Sequence, residues 1–212
     1  MADLQKLYDA VLNGDAKTAV EITRQAIAEN MDPLTLISGT MVPAMDEVGK
    51  RYEEEEYFVP ELLLSARAMK GSLELLRPLL AERGAKPTGT VAIGTVKGDL
   101  HDIGKNLVAS MLEGGGFEVI DLGADVAPGL FVETARARNA KLVALSALLT
   151  VTMNSMRTTI EAFQTAGLRD QVKVMVGGAP VTQQFADEIG ADGFTENAST
   201  AVALARKLIA AV

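Results

Sequence analysis

The sequence predicts an α/β protein: an N-terminal four-helix bundle followed by a doubly wound, flavodoxin-like and Rossmann-like five-stranded parallel sheet. Three observations predict it. Residues 1 to about 86 carry helical periodicity only, whereas from Thr88 onward short apolar runs alternate with helical stretches. The 212 residues suffice for one small and one standard domain, and 48% hydrophobic with 23% charged residues is enough to bury a core in each. The expected domains are 1–86 and 89–212, joined by the linker GAKPTG at 84–89.

Leu4 to Leu12 forms the first helix of the N-terminal half. Asp15 caps a second that runs to about Glu29. Asp32 followed by Pro33 combines a cap with proline at the first helical position and opens a third helix toward Glu53. Pro60 starts a fourth, whose apolar Leu62, Ala66, Met69, Leu73, Leu76 and Leu80 step by four and three into one buried stripe. Gly84 and Pro87 end it, and the internal Pro43 and Pro78 are expected to kink or loosen their helices.

In the second half the candidate strands are 90–96, 117–122, 141–148, 172–178 and 191–195. Helical stretches near 103–113, 129–139, 153–166, 181–189 and 198–210 separate and follow them. Short, continuously apolar strands alternating with helices imply a parallel sheet covered on both faces. The strand order expected is 2-1-3-4-5.

Composition excludes several function classes. The net charge is −8 with no basic face, which argues against nucleic acid and against an anionic membrane surface as partners. Cysteine is absent, so disulfides, iron–sulfur clusters and thiol nucleophiles are excluded. His101 is the only histidine, which rules out a site of several imidazoles. The apolar stretch from Leu142 to Met153 is too short for a bilayer, and the start lacks the pattern of a signal peptide; a cytoplasmic location is expected.

The unusual residues cluster where an open α/β sheet binds ligands, beyond the carboxyl ends of its strands. The first strand is followed by KGDLHDIGKN at 97–106, with Asp99, His101 and Gly104. The third ends at Ser146, followed by Leu148, Thr150 and Thr152, and the fourth ends in Gly177 and Gly178. Each has an ordinary reading: a solvated histidine, helix-capping hydroxyls, a tight turn. Their joint placement favours a ligand, because glycine clears space for it and hydroxyls bond to it without bulk. The phosphate-binding GxxxxGK[ST] pattern, GxGxxG and the hydrolase GxSxG are all missing, and a phospho-receiver would need an aspartate where Ser146 stands.

Asp99-x-His101-x-x-Gly104, then 41 residues, Ser146-x-Leu148, then 28 residues, Gly177-Gly178, resembles the cobalamin-binding signature DxHxxG…SxL…GG. The helical half is similar to the cap that precedes this domain in methionine synthase and in corrinoid methyl carriers. The resemblance covers nearly the whole chain and points to the methyltransferase cognate corrinoid proteins. It implies cobalamin, a cobalt corrinoid that is methylcobalamin when loaded, with His101 as the metal ligand through Nε2 in place of the cofactor's own base. Asp99 would hold the other ring nitrogen and Thr152 would extend that relay. Asp102, Ile103 and Gly104 would lie against the corrin; Ser146, Leu148, Thr150, Gly177 and Gly178 would line the pocket of the displaced nucleotide tail. From the cap, Tyr52, Val59 and Leu62 are the candidates for an apolar lid, although bundle core explains Val59 and Leu62 equally well.

The function implied is carriage of a methyl group on cobalt from a substrate:corrinoid methyltransferase to a second methyltransferase that uses tetrahydrofolate or a thiol, with a reductive activase as a further partner. Such a chain is a subunit that does not act alone. Three alternatives stand beside it: a cobalamin-dependent sensor, the small subunit of a carbon-skeleton mutase, and a scaffold with an empty crevice. The absence of tryptophan, of a cap histidine and of a basic helix counts against the first, and the helical cap against the second.

Overall fold

The computed structural model describes residues 2–82 and 87–211, and its contacts fall into two compact units. Gly84 and the rest of the 84–86 part of the expected linker lie outside the described residues.

The first unit is helical. Helices α1 (Leu4–Leu12) and α2 (Ala16–Ala28) are capped by Asp3 and Asp15, whose carboxylates accept from the N–H groups of Lys6 and Thr18, at 3.0 Å each. Caps of this kind contribute about 1 kcal/mol each. Asp32 likewise caps α3 (Pro33–Leu36) through Thr35 N–H. The single helix expected from Pro33 to Glu53 is divided: a π-helical segment, Ile37–Met41, separates α3 from α4 (Val42–Glu53). Pro43 supplies the reason. Its nitrogen has no hydrogen for the carbonyl of Gly39, and the Val42 N–H bonds back to Ile37, five residues away. Helix α5 spans Val59–Glu82, starting one residue before Pro60, because Glu61 accepts from the Phe58 N–H at 3.0 Å. Pro78 lies inside it. On α5, Leu62, Ala66, Met69, Leu73 and Leu76 are buried as their spacing requires.

The second unit contains β1 (Thr90–Thr95), α6 (Ile103–Gly114) as far as Leu112, β2 (Glu118–Asp121), α7 (Pro128–Arg138), β3 (Leu142–Ser146), α8 (Asn154–Thr165), β4 (Lys173–Gly177), α9 (Gln183–Ile189), β5 (Gly193–Thr195) and α10 (Ala198–Ile209). The strands run parallel in the order β2-β1-β3-β4-β5. Side chains alternate between two buried faces: Ala92, Val143, Leu145, Val174 and Val176 join Phe131, Ile160 and Phe163, while Val91, Ile93, Leu142, Ala144 and Met175 are buried on the opposite face. No described helix is long and apolar enough to cross a membrane.

All five strands are shorter than their apolar runs. Ala147 and Leu148, expected in the third strand, lie beyond β3, and Val96 and Gly178 lie beyond β1 and β4. Val172 and Ala191–Asp192 precede their strands, and Phe117 and Leu122 flank β2. The excess residues at the carboxyl ends of β1, β3 and β4 belong to loops, and those loops carry the unusual side chains. Register sets the rim: Thr95, Ser146, Gly177 and Thr195 are successive cross-strand partners along the carboxyl edge of β1, β3, β4 and β5.

Candidate functional site

At this edge the chain leaves β1 to make β2 on one side of the sheet and leaves β3 to make β4 on the other. The loops after β1 and β3 therefore diverge and open a crevice. Asp99 joins them. It is fully buried, and its carboxylate acts only as an acceptor. Oδ1 takes the His101 N–H at 3.0 Å and meets His101 Nδ1 at 2.7 Å. Oδ2 takes the Leu148 N–H at 2.8 Å, the Leu149 N–H at 3.3 Å and the Thr152 hydroxyl at 2.7 Å. Burial pushes the Asp99 carboxyl up, but the donors from His101, Thr152 and Leu148 outweigh it and hold the group well below the usual carboxylate range.

An ionised carboxylate can only accept, so His101 Nδ1 carries the hydrogen in this contact, and in the neutral ring Nε2 holds the lone pair. Nε2 has no hydrogen-bond partner among the described residues, and half of the His101 side chain is in solvent. One nitrogen of the imidazole is thus held by a buried anion, and its other nitrogen is open.

The turns that carry the ring and its Asp99 contacts expose apolar side chains. Leu100, Ile103 and Val151 are 77%, 82% and 81% exposed, and Leu148 and Leu149 are exposed too. Exposed apolar side chains concentrated on the turns around one imidazole mark a binding surface rather than scattered surface residues. Gly104 adds open space: a Cβ there would meet nothing within 4 Å, so no neighbour in the chain requires glycine in the first turn of α6. Among the described residues there is no group of three or more His, Asp or Glu side chains that could hold a metal ion unaided.

Other candidates fall as follows. Ser146 is half-buried in the rim row beside Gly177, and Thr150 is exposed on the loop after β3. Thr152 is buried, its hydroxyl between Asp99 and the Leu149 carbonyl at 2.8 Å. Asp102 is exposed and accepts from the Asn106 side chain at 3.1 Å. Gly178 has φ +132°, and a Cβ would come within 1.9 Å of the Ala147 carbonyl oxygen. The chain's own packing therefore requires glycine at this position, whatever else it serves. Gly178→Ala is expected to cost about 2–3 kcal/mol, read as a lower urea midpoint with an unchanged slope. A midpoint equal to that of the parent would contradict the clash.

In the helical unit Tyr52 is half-buried and Val59 is exposed, together with Phe58. Leu62 is fully buried.

Sequence reasoning missed the braces on the His101 loop. Thr95 Oγ1 donates to the His101 carbonyl at 2.9 Å, and Ser155 Oγ to the Lys97 carbonyl at 2.9 Å. The Asp125 carboxylate, from the loop after β2, accepts from the Gly98 N–H at 2.8 Å. A threonine ending a strand and an aspartate in a loop carry no local signal of such work.

Two family models, each described as a B12 binding domain, match residues 89–205 and 3–77. The chain is 43% identical over 208 residues to trimethylamine corrinoid protein 1 of Methanosarcina acetivorans, covering 97% of this chain and 96% of that one. Among solved structures it is similar to a cobalamin-binding protein from Desulfitobacterium hafniense DCB-2, with TM-score 0.81 and 32% identity over 98% of this chain and 99% of the other. It is also similar to a chain of the methanol:cobalamin methyltransferase complex of Methanosarcina barkeri, with TM-score 0.87 and 28% identity over 99% of this chain and 80% of that chain.

Proposed function

Since the chain belongs to the methyltransferase cognate corrinoid proteins, with cobalamin as its cofactor, we propose that it carries a methyl group taken from a methylated amine by a partner methyltransferase. The observation that carries the residue assignment is the His101 ring, fixed at Nδ1 by a buried, ionised Asp99 and open at Nε2. When bound, the corrinoid supplies a cobalt centre that accepts a methyl group and later releases it.

The chain's residues supply placement and tuning. His101 offers Nε2 to the metal. Asp99 fixes the ring tautomer and raises the basicity of that nitrogen, and the Thr152 hydroxyl holds Asp99 in turn. Ile103, Leu148 and the neighbouring Leu100 and Val151 give up apolar surface to the macrocycle, while the open space at Gly104 lets it approach α6. Asp102, exposed next to His101, would offer its carboxylate to polar groups of the corrinoid. Ser146 and Thr150 offer hydroxyls to the nucleotide tail, and Gly177 and Gly178 offer it bare backbone. In the helical unit, Tyr52 and Val59 remain available as apolar cover.

Amine chemistry is favoured because relatives named trimethylamine and dimethylamine corrinoid protein match this chain at 43% to 46% identity over nearly its full length. A second methyltransferase, with tetrahydrofolate or a thiol as acceptor, and a reductive activase complete the proposed cycle in the cytoplasm. The test is demethylation of trimethylamine by a trimethylamine:corrinoid methyltransferase supplied with the reconstituted chain. Turnover dependent on this chain is expected; turnover only with methanol and its methyltransferase would contradict the amine assignment.

A further inference from the structure

We propose that Asp125 is a positioning residue for the Asp99–His101 pair, acting as a two-point clamp on the turn that carries them. After β2 the chain does not leave the sheet at once. Thr95 N–H donates to the Gly123 carbonyl at 2.9 Å, Val126 N–H donates to the Thr95 carbonyl at 3.0 Å, and an isolated parallel bridge pairs Val96 with Val126. The segment from Gly123 to Val126 is thus stitched alongside the end of β1, where the His101 loop begins.

Within this segment Asp125 has φ +56°, a left-handed conformation that costs a non-glycine residue energy and that aspartate bears better than most. It presents both polar parts of the residue to one turn. The carboxylate takes the Gly98 N–H at 2.8 Å and the Lys97 ammonium at 3.0 Å, while the Asp125 N–H donates to the Asp99 carbonyl at 2.9 Å. The Gly98 N–H, with the Lys97 ammonium, holds the Asp125 carboxyl below the ordinary range, as a carboxylate in use as an acceptor requires. The turn is closed by Asp99 N–H to the Val96 carbonyl at 3.1 Å, with Gly98 at φ +87°.

The need for a clamp follows from what Asp99 must reach. Its two oxygens serve five donors, on His101 and on the loop after β3, at 2.7–3.3 Å. A turn displaced by about an ångström would put several of these beyond hydrogen-bonding range. Ser155 and Thr95 hold the loop at Lys97 and at His101; Asp125 holds it between them, at Gly98 and Asp99.

The inference rests on His101 as the ligand residue, and its test separates the two. Asp125→Asn keeps an acceptor for Gly98 and tolerates the left-handed backbone. Asp125→Gly keeps the backbone but removes the side chain. With His101 the only histidine, 15N-histidine labelling reports one ring, and its nitrogen shifts can be followed in the apoprotein. Expected in Asp125→Gly are ring shifts moved toward a mixture of tautomers and hydroxocobalamin affinity about ten-fold weaker, with Asp125→Asn between it and the parent. A variant that melts earlier but keeps the parental ring shifts and affinity would reduce Asp125 to a strut and overturn the proposal. Full affinity in His101→Ala would instead sink the ligand assignment, while leaving the apoprotein ring measurement intact.

Discussion

His101→Ala is expected to abolish protein-nitrogen coordination in the reconstituted protein and to weaken corrinoid binding by about 100-fold, the upper end of the loss typical of a supporting partner. The chain holds no other imidazole that could substitute. The fold should be nearly indifferent. Half of the side chain is in solvent and the ring's bond to Asp99 is replaceable by water, so a stability change of only about 0.5 kcal/mol is expected. Titration with hydroxocobalamin followed by absorbance, together with a thermal melt, checks both parts. Parental affinity and spectrum in the variant would contradict the assignment.

Asp99→Asn is expected to have the opposite balance, a large effect on stability as well as on binding. Five donors converge on the carboxylate, and an amide has one acceptor oxygen. Its NH2 would face N–H and O–H donors in a fully buried position, at a cost of about 2–4 kcal/mol. The pH dependence has a definite sign. The folded-state carboxyl titrates below its ordinary value of 3.8, so its contribution is complete above that value and is lost as pH falls toward the folded one. Urea midpoints should therefore differ most at neutral pH, and the gap should close below about pH 4. A gap constant from pH 7 to pH 3 would show that the charge is not what stabilises the site.

Local sequence grammar carried much of this arrangement. Asp15 and Asp32 were legible as caps because a carboxylate ahead of a helical pattern has one obvious set of N–H partners. The five strands were legible as apolar runs, but their ends were not. Leu148 continues the run of β3, yet its N–H turns to Asp99 instead of a neighbouring strand, and hydrophobicity does not record that change of partner. The π-helical segment was hidden for a similar reason: Pro43 signals trouble without saying whether the helix bends, breaks or widens.

At the candidate site, the convergence of three turns followed from the parallel order alone, since strands 1, 3 and 4 are neighbours in it. The sign of Leu62 did not follow. An apolar residue at helical spacing reads the same whether it faces a ligand or the bundle, and here it is buried. Asp125 was invisible, because its importance lies in a left-handed backbone and in partners 27 residues away.

The central claim is that the one histidine of this chain would supply the nitrogen that holds the cobalt. Electron paramagnetic resonance of the cobalt(II) holoprotein tests it directly, comparing unlabelled protein with protein labelled only at histidine with 15N. The account predicts that the nitrogen superhyperfine pattern changes from triplets to doublets on labelling. Triplets that persist would identify the cofactor's own base as the ligand, and the account would be wrong.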